Sequence, residues 1–169
     1  MPINSQPEVI LAIAPGKREV GLAVFVDADL VYVSVKTIRK RKSGNFLLKE
    51  ITGILQKLFE GFSIKIVVTK SINQYQKLSP DLIKIVERIK IESAQKGLQV
   101  IEITLEEIKS VLCKSEKATE KKAFEALLTT YPELVRYWNR PNKWQNDYYA
   151  FLFSAVAVGE VYLKKSIRT

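Results

Sequence analysis

The sequence predicts an α/β fold with five strands, and three observations carry that expectation. The first three apolar runs follow one another across tight turns, as in an antiparallel meander. Beyond Asn45, helical and extended patterns alternate. The chain then closes in a helix with a strongly apolar middle.

Each element has its own warrant. Val9 to Ile13 is a continuous apolar run, as expected of a strand buried on both faces, and Pro15-Gly16 turns the chain into a second strand from Val20. Leu30–Ile38 is the third strand, reached through Asp27-Ala28-Asp29. Leu47, Ile51, Ile54, Leu55 and Leu58 recur at helical spacing, so residues 46–60 should form an amphipathic helix that Gly61 stops. Ile64–Thr69 reads as a short buried strand. Ser79-Pro80-Asp81 is a helix start with Ser as N-cap, and the helix carries Leu82, Ile85, Val86 and Ile89 before closing at Gly97. Leu98–Ile103 is the fifth strand, and Thr104 to Glu107 forms a capping box opening a helix to Cys113. Lys114 to Lys122 is a charged linker or helix entry, and Phe124, Leu127 and Leu128 mark another helix. Trp138 to Gln145 reads as an irregular loop, with Asn146 capping a last helix from Asp147 to about Lys164. Val9–Ala14 should be central in the sheet, between the antiparallel second strand and Ile64–Thr69. With no repeat or interdomain linker visible, residues 1–169 are expected to form a single domain, residues 1–7 being flexible.

Composition narrows the function classes. Lys and Arg number 27 against 18 Asp and Glu, a net charge of +9, which favours an anionic partner. The chain has no His and one cysteine, Cys113. That excludes disulfide frameworks, Cys/His zinc sites, His general bases and Ser-His or Cys-His triads. Met1 to Pro7 lacks the apolar core of a signal peptide, and no apolar run approaches the ~20 residues of a membrane span. The expectation is a cytoplasmic protein with no membrane partner.

Ile13-Ala14-Pro15-Gly16-Lys17, followed by Val20-Gly21-Leu22-Ala23, resembles the opening hairpin of RuvC-type Holliday junction resolvases, within the ribonuclease H-like superfamily. The likeness continues in segment order through nearly the whole chain. It implies a ribonuclease H-like fold, a mixed five-stranded sheet with helices on both faces. It also implies a metal-dependent nuclease, in which carboxylates from the first strand, the fourth strand and the last helix hold two divalent ions.

This sequence departs from that pattern at three of the four ligand positions. Ala14 stands at the end of the first strand. Val67-Val68-Thr69-Lys70 stands where the family reads V-x-I-E, with Thr69 taken as the ligand position. The last-helix pattern D-x-x-D-A is represented by Asp147 to Phe151, so Asp147 remains and Ala150 replaces the second acid. A catalytic ion pair needs a dense set of hard oxygen ligands, so no catalytic residue and no cofactor is expected, with Asp147 a weak metal candidate. Asp147 also has a plain reading, an acid in the first turn of a helix. The alternative is an active Mg²⁺-dependent structure-selective endodeoxyribonuclease whose metal site lies elsewhere.

The cations are the better functional candidates. Arg39, Lys40, Arg41 and Lys42 form one run beside a Ser-Gly-Asn turn, and Lys114, Lys117, Lys121 and Lys122 form a second cluster. Lys17, Arg18 and Lys70 flank the strand ends. The resemblance implies that Lys109 and Lys121 touch nucleic acid. The expected function is a catalytically inactive nucleic-acid-binding or scaffold protein, with DNA the expected ligand. Leu82, Ile83, Ile85, Val86, Ile89 and Ile91 exceed one buried stripe, which points to a homodimer.

Overall fold

A computed structural model describes residues 6–38, 44–72 and 79–167. The basic run Arg39–Lys42 and most of the expected flexible lead lie outside these residues. Strands β1 (Val9–Pro15), β2 (Glu19–Val26) and β3 (Asp29–Thr37) form the meander. Helix α1 (Gly44–Gly61) leads to β4 (Ile66–Lys70), α2 (Pro80–Gln95) to β5 (Gln99–Ile103). Helices α3 (Leu105–Cys113) and α4 (Glu120–Thr130), a 3₁₀ turn at Pro132–Tyr137 and the long helix α5 (Lys143–Ile167) complete the chain.

The sheet order is β3-β2-β1-β4-β5. β1 pairs antiparallel with β2 and parallel with β4, so it is central, as its unbroken apolar run requires. Side chains alternate across the sheet, and two cores result. On one face Leu11, Ile13, Leu22 and Val67 meet Ile51 and Leu55 of α1 and Ile85 and Ile89 of α2. On the other, Ile10, Ala12, Ala14, Ala23 and Phe25 meet α3, α4 and α5. Leu152 to Val161 of α5 is buried throughout, because this helix lies across the middle of the sheet.

Small residues set that approach. A Cβ at Gly21 would stand 1.9 Å from the Phe151 carbonyl oxygen, and one at Gly16 would stand 2.4 Å from the Phe151 ring. The opening-motif glycines therefore serve close packing against α5 as well as the turn, where the Gly16 N–H donates to the Glu19 carbonyl at 2.8 Å.

Caps fall where the sequence places them. Ser79 Oγ accepts the N–H of Asp81 and of Leu82, Thr104 and Glu107 form a capping box, and Gly97 has a φ of +72° just past α2. Some boundaries differ from the sequence reading, three of them with a local cause. β4 starts at Ile66, and Lys65 just before it donates its N–H to the Val9 carbonyl at 2.9 Å. A 3₁₀ turn follows α4, with Pro132 in its first turn and no side-chain cap. The last helix begins at Lys143, not at Asp147. Asn142 supplies the start: its carbonyl accepts from Gln145 N–H at 3.1 Å, while its own N–H donates to Gln145 Oε1 at 3.4 Å. Asn146 is therefore inside α5 and caps nothing there. Its amide spans the preceding loop instead, accepting from Arg140 N–H at 2.8 Å and donating to the Arg140 carbonyl at 3.0 Å. Among the described residues no helix is long and apolar enough to cross a membrane.

Candidate nucleic-acid interface

The carboxyl ends of β1 and β4 meet beneath the first half of α5. The parallel register runs Ala12 beside Val68 and Ile13 beside Thr69, and one further step sets Ala14 beside Lys70. Alternation puts Ala12, Ala14, Val68 and Lys70 on the α5 face. Thr69 falls on the opposite face with Ile13 and Val67, where it is buried. The sequence reading that gave Thr69 the ligand position is thereby corrected. The strand-end residue that shares a face with Ala14 is Lys70, because side-chain direction has a period of two.

Lys70 Nζ is 3.1 Å from Glu120 Oε2 on α4 and 3.5 Å from Ser154 Oγ on α5. The Lys70 side chain is 25% exposed and that of Glu120 39%. This pair ties three elements together at the strand ends.

Asp147 does not join them. It lies one turn inside α5 rather than in the first turn, its side chain is 67% exposed, and it pairs with Lys143 Nζ at 3.0 Å. The pairing with Lys143 replaces the helix-end role expected of it. Ala150 is half-buried and lines the cavity described below. Glu160, further along α5, is buried and accepts a short hydrogen bond from the Tyr131 hydroxyl. Burial first, then that bond and the Glu160 charge, raise the Tyr131 phenol above its ordinary value. Among the described residues no three Asp, Glu or Cys side chains converge in a group able to hold a metal ion. The strand-end residues, an alanine and an ion-paired lysine, do not fit a pair of divalent ions.

The remaining cations separate. Lys17 and Arg18 are exposed in the β1–β2 turn, at the same end of the sheet as Lys70. Lys121 and Lys122 are exposed in the first turn of α4. Lys117 is exposed in the turn before α4, Lys114 caps α3 with a φ of +58°, and Lys109 is half-buried on α3. Glu120 lies in the segment read from sequence as a charged linker or helix entry, and it is the entry. Its position at the first residue of α4, with Thr119 as N-cap, brings it to Lys70.

Beside this pair lies a cavity of about 320 Å³. Its apolar wall is Phe124, Phe153, Tyr137 and Trp138, and Glu120, Lys121 and Asn139 supply polar lining. The Trp138 ring packs edge-on against Phe153 with centroids 5.1 Å apart and against Phe124 at 6.4 Å. Phe153 belongs to the core as well as to the cavity wall. The cavity was not anticipated, because its wall joins α4, the 3₁₀ turn and α5.

This architecture is the ribonuclease H-like fold of the RuvC type. The RuvC structure of Thermus thermophilus superposes with a TM-score of 0.72 at 14% identity, covering 94% of this chain and 96% of that one. The same protein in complex with a Holliday junction substrate gives 0.71 at 14% identity, covering 91% and 92%. The yeast mitochondrial Holliday junction resolvase Ydc2 gives 0.61 at 11% identity, covering 90% of this chain and 76% of that one. At such identities the likeness establishes the fold. No protein-family model matches the sequence, and no curated protein matches it.

Proposed function

We propose that this chain binds nucleic acid, with DNA the favoured class, and does not cleave it. One observation carries the second half: Ala14 and Lys70 stand side by side on the α5 face, with the Lys70 ammonium held by Glu120. Where the RuvC resemblance requires carboxylates around two cations, this chain places a cation of its own. A divalent ion there would meet repulsion from Lys70 and too few hard oxygen ligands. The binding half is supported by the net charge of +9, by exposed Lys17, Arg18, Lys121 and Lys122, and by a RuvC structure bound to a junction substrate. The run Arg39–Lys42 and the residues Lys109, Lys114 and Lys117 complete the proposed phosphate-contacting set. The proposal includes a homodimer through α2, on which Ile83 and Ile91 are exposed while Ile85, Val86 and Ile89 are buried.

Fluorescence anisotropy on junction, duplex, single-stranded and RNA ligands tests the binding half. If six phosphates are neutralised, log affinity falls against log salt with a slope of roughly −5 on duplex DNA. Replacing Arg39, Lys40, Arg41 and Lys42 together should flatten that slope and weaken all sequences alike. No binding to any ligand at low salt refutes this reading.

A further inference from the structure

We infer that the cavity between α4, the 3₁₀ turn and α5 is a pocket for a single unpaired nucleobase, with guanine preferred. This deepens the nucleic-acid reading and rests on it.

The cavity joins three kinds of surface that one ligand class combines. Trp138, Tyr137 and Phe124 give it aromatic walls, and a flat ring gains stacking energy against such walls whatever its sequence context. Glu120 supplies hydrogen-bond acceptors: Oε2 receives the Lys70 ammonium, and each carboxylate oxygen has a second lone pair to offer. Lys121, the next residue of α4, also lines the cavity and is exposed. An aromatic wall, an acceptor pair and a cation match a planar base with N–H donors attached to a phosphate. Guanine fits best among the bases, because its Watson–Crick edge presents the N1–H and the N2 amine side by side, which a carboxylate accepts in bidentate fashion. Thymine offers one such donor flanked by two carbonyls that the carboxylate repels.

The pocket is also held in shape. Asn146 bonds both the N–H and the carbonyl of Arg140 at 2.8 and 3.0 Å, which fixes the loop carrying Trp138 and Asn139 against α5. Trp138 N–H bonds the Val135 carbonyl at 3.1 Å, and its ring rests on Phe153. A base entering this space meets walls already in place, so less ordering opposes binding. The size suits it as well, since small-ligand sites begin at about 300 Å³.

The test uses the Trp144→Phe protein, in which Trp138 is the one remaining tryptophan. Trp138 emission and strand anisotropy are followed on adding three probes: a thymine-only single strand, the same strand with one central guanine, and guanosine 5′-monophosphate. The guanine strand should bind roughly tenfold more tightly than the thymine strand and quench Trp138. Adding Glu120→Gln should abolish that preference while leaving thymine-strand affinity in place. Equal affinity of the two strands with Trp138 emission unchanged overturns the pocket while leaving phosphate binding intact. If neither strand binds, the phosphate reading fails and the mononucleotide decides the pocket alone. Quenching that Glu120→Gln removes then supports a base site served by free nucleotides, and no quenching overturns it.

Discussion

The two faces of the sheet are packed by different means. On the α1/α2 face large aliphatic side chains fill the space, with Leu11, Ile13, Leu22, Ile51, Leu55, Ile85 and Ile89 all buried. On the α5 face the strands offer Ala12, Ala14, Ala23 and Gly21, and the helix backbone itself comes down to the sheet. Large side chains hold a helix away from a sheet, whereas small ones let it approach. The close approach brings Ser154 of α5 to Lys70, and the turn of loop before α5 closes the aromatic cavity. The α1/α2 face is filled by packing alone, and the α5 face borders the Lys70–Glu120 pair and the cavity.

The largest effect should come from filling the close approach. Gly21→Ala drives a Cβ into the Phe151 backbone, which no rotamer change can relieve, and should cost about 3 kcal/mol or more by denaturant unfolding. Gly53 on α1 gives the opposing control, since nothing lies within 4 Å of its Cβ position. Gly53→Ala should stabilise by roughly 0.5–1 kcal/mol from helix propensity. A Gly21→Ala protein of unchanged stability would contradict the packing difference between the faces.

Tyr131→Phe comes next in size. It leaves the buried Glu160 carboxylate without its donor and should cost about 1–3 kcal/mol. The same contact sets a pH dependence. In the unfolded chain the phenol ionises near its ordinary value of about 10, while in the fold burial and Glu160 keep it protonated to higher pH. The stability this supplies is complete below about pH 10 and drains away as pH rises through the raised value. Thermal melts of wild type should fall more steeply above about pH 10 than those of Tyr131→Phe. Parallel slopes would remove Tyr131 from the account.

Lys70→Met should change stability least, by under about 1 kcal/mol, because its partner Glu120 is 39% exposed and solvent screens the pair. Its value lies in a second reading. With the ammonium removed, Ala14→Asp and Ala150→Asp added beside Lys70→Glu should produce a Mn²⁺-dependent rise in melting temperature that wild type lacks. Absence of any rise in the triple variant would show that more than these side chains separates this site from a metal centre.

Much of this contrast was legible in the residues. The unbroken run from Val9 to Ile13 placed β1 at the sheet centre, and Ser79, Thr104 and Gly97 marked helix ends through local hydrogen bonds and backbone freedom. The start of α5 was missed because Asn142 and Gln145 form the weaker half of a capping box, and Asn146 looked like the stronger cap. The V-x-I-E wording itself sets Lys70, not Thr69, under the glutamate, and the strand register agrees with that wording. Glu120 and the aromatic cavity depend on residues far apart in the chain meeting at one strand end, and no local pattern announces such a meeting.

The most direct test of the central claim is one incubation. Labelled four-way junction, duplex and single-stranded DNA, with an RNA strand alongside, are held with the wild-type protein in Mg²⁺ or Mn²⁺, and bound and cleaved fractions are read from the same samples. Salt-sensitive binding with every strand intact is the expected result. Cleavage that copurifies with the protein and disappears in Asp147→Ala would contradict it.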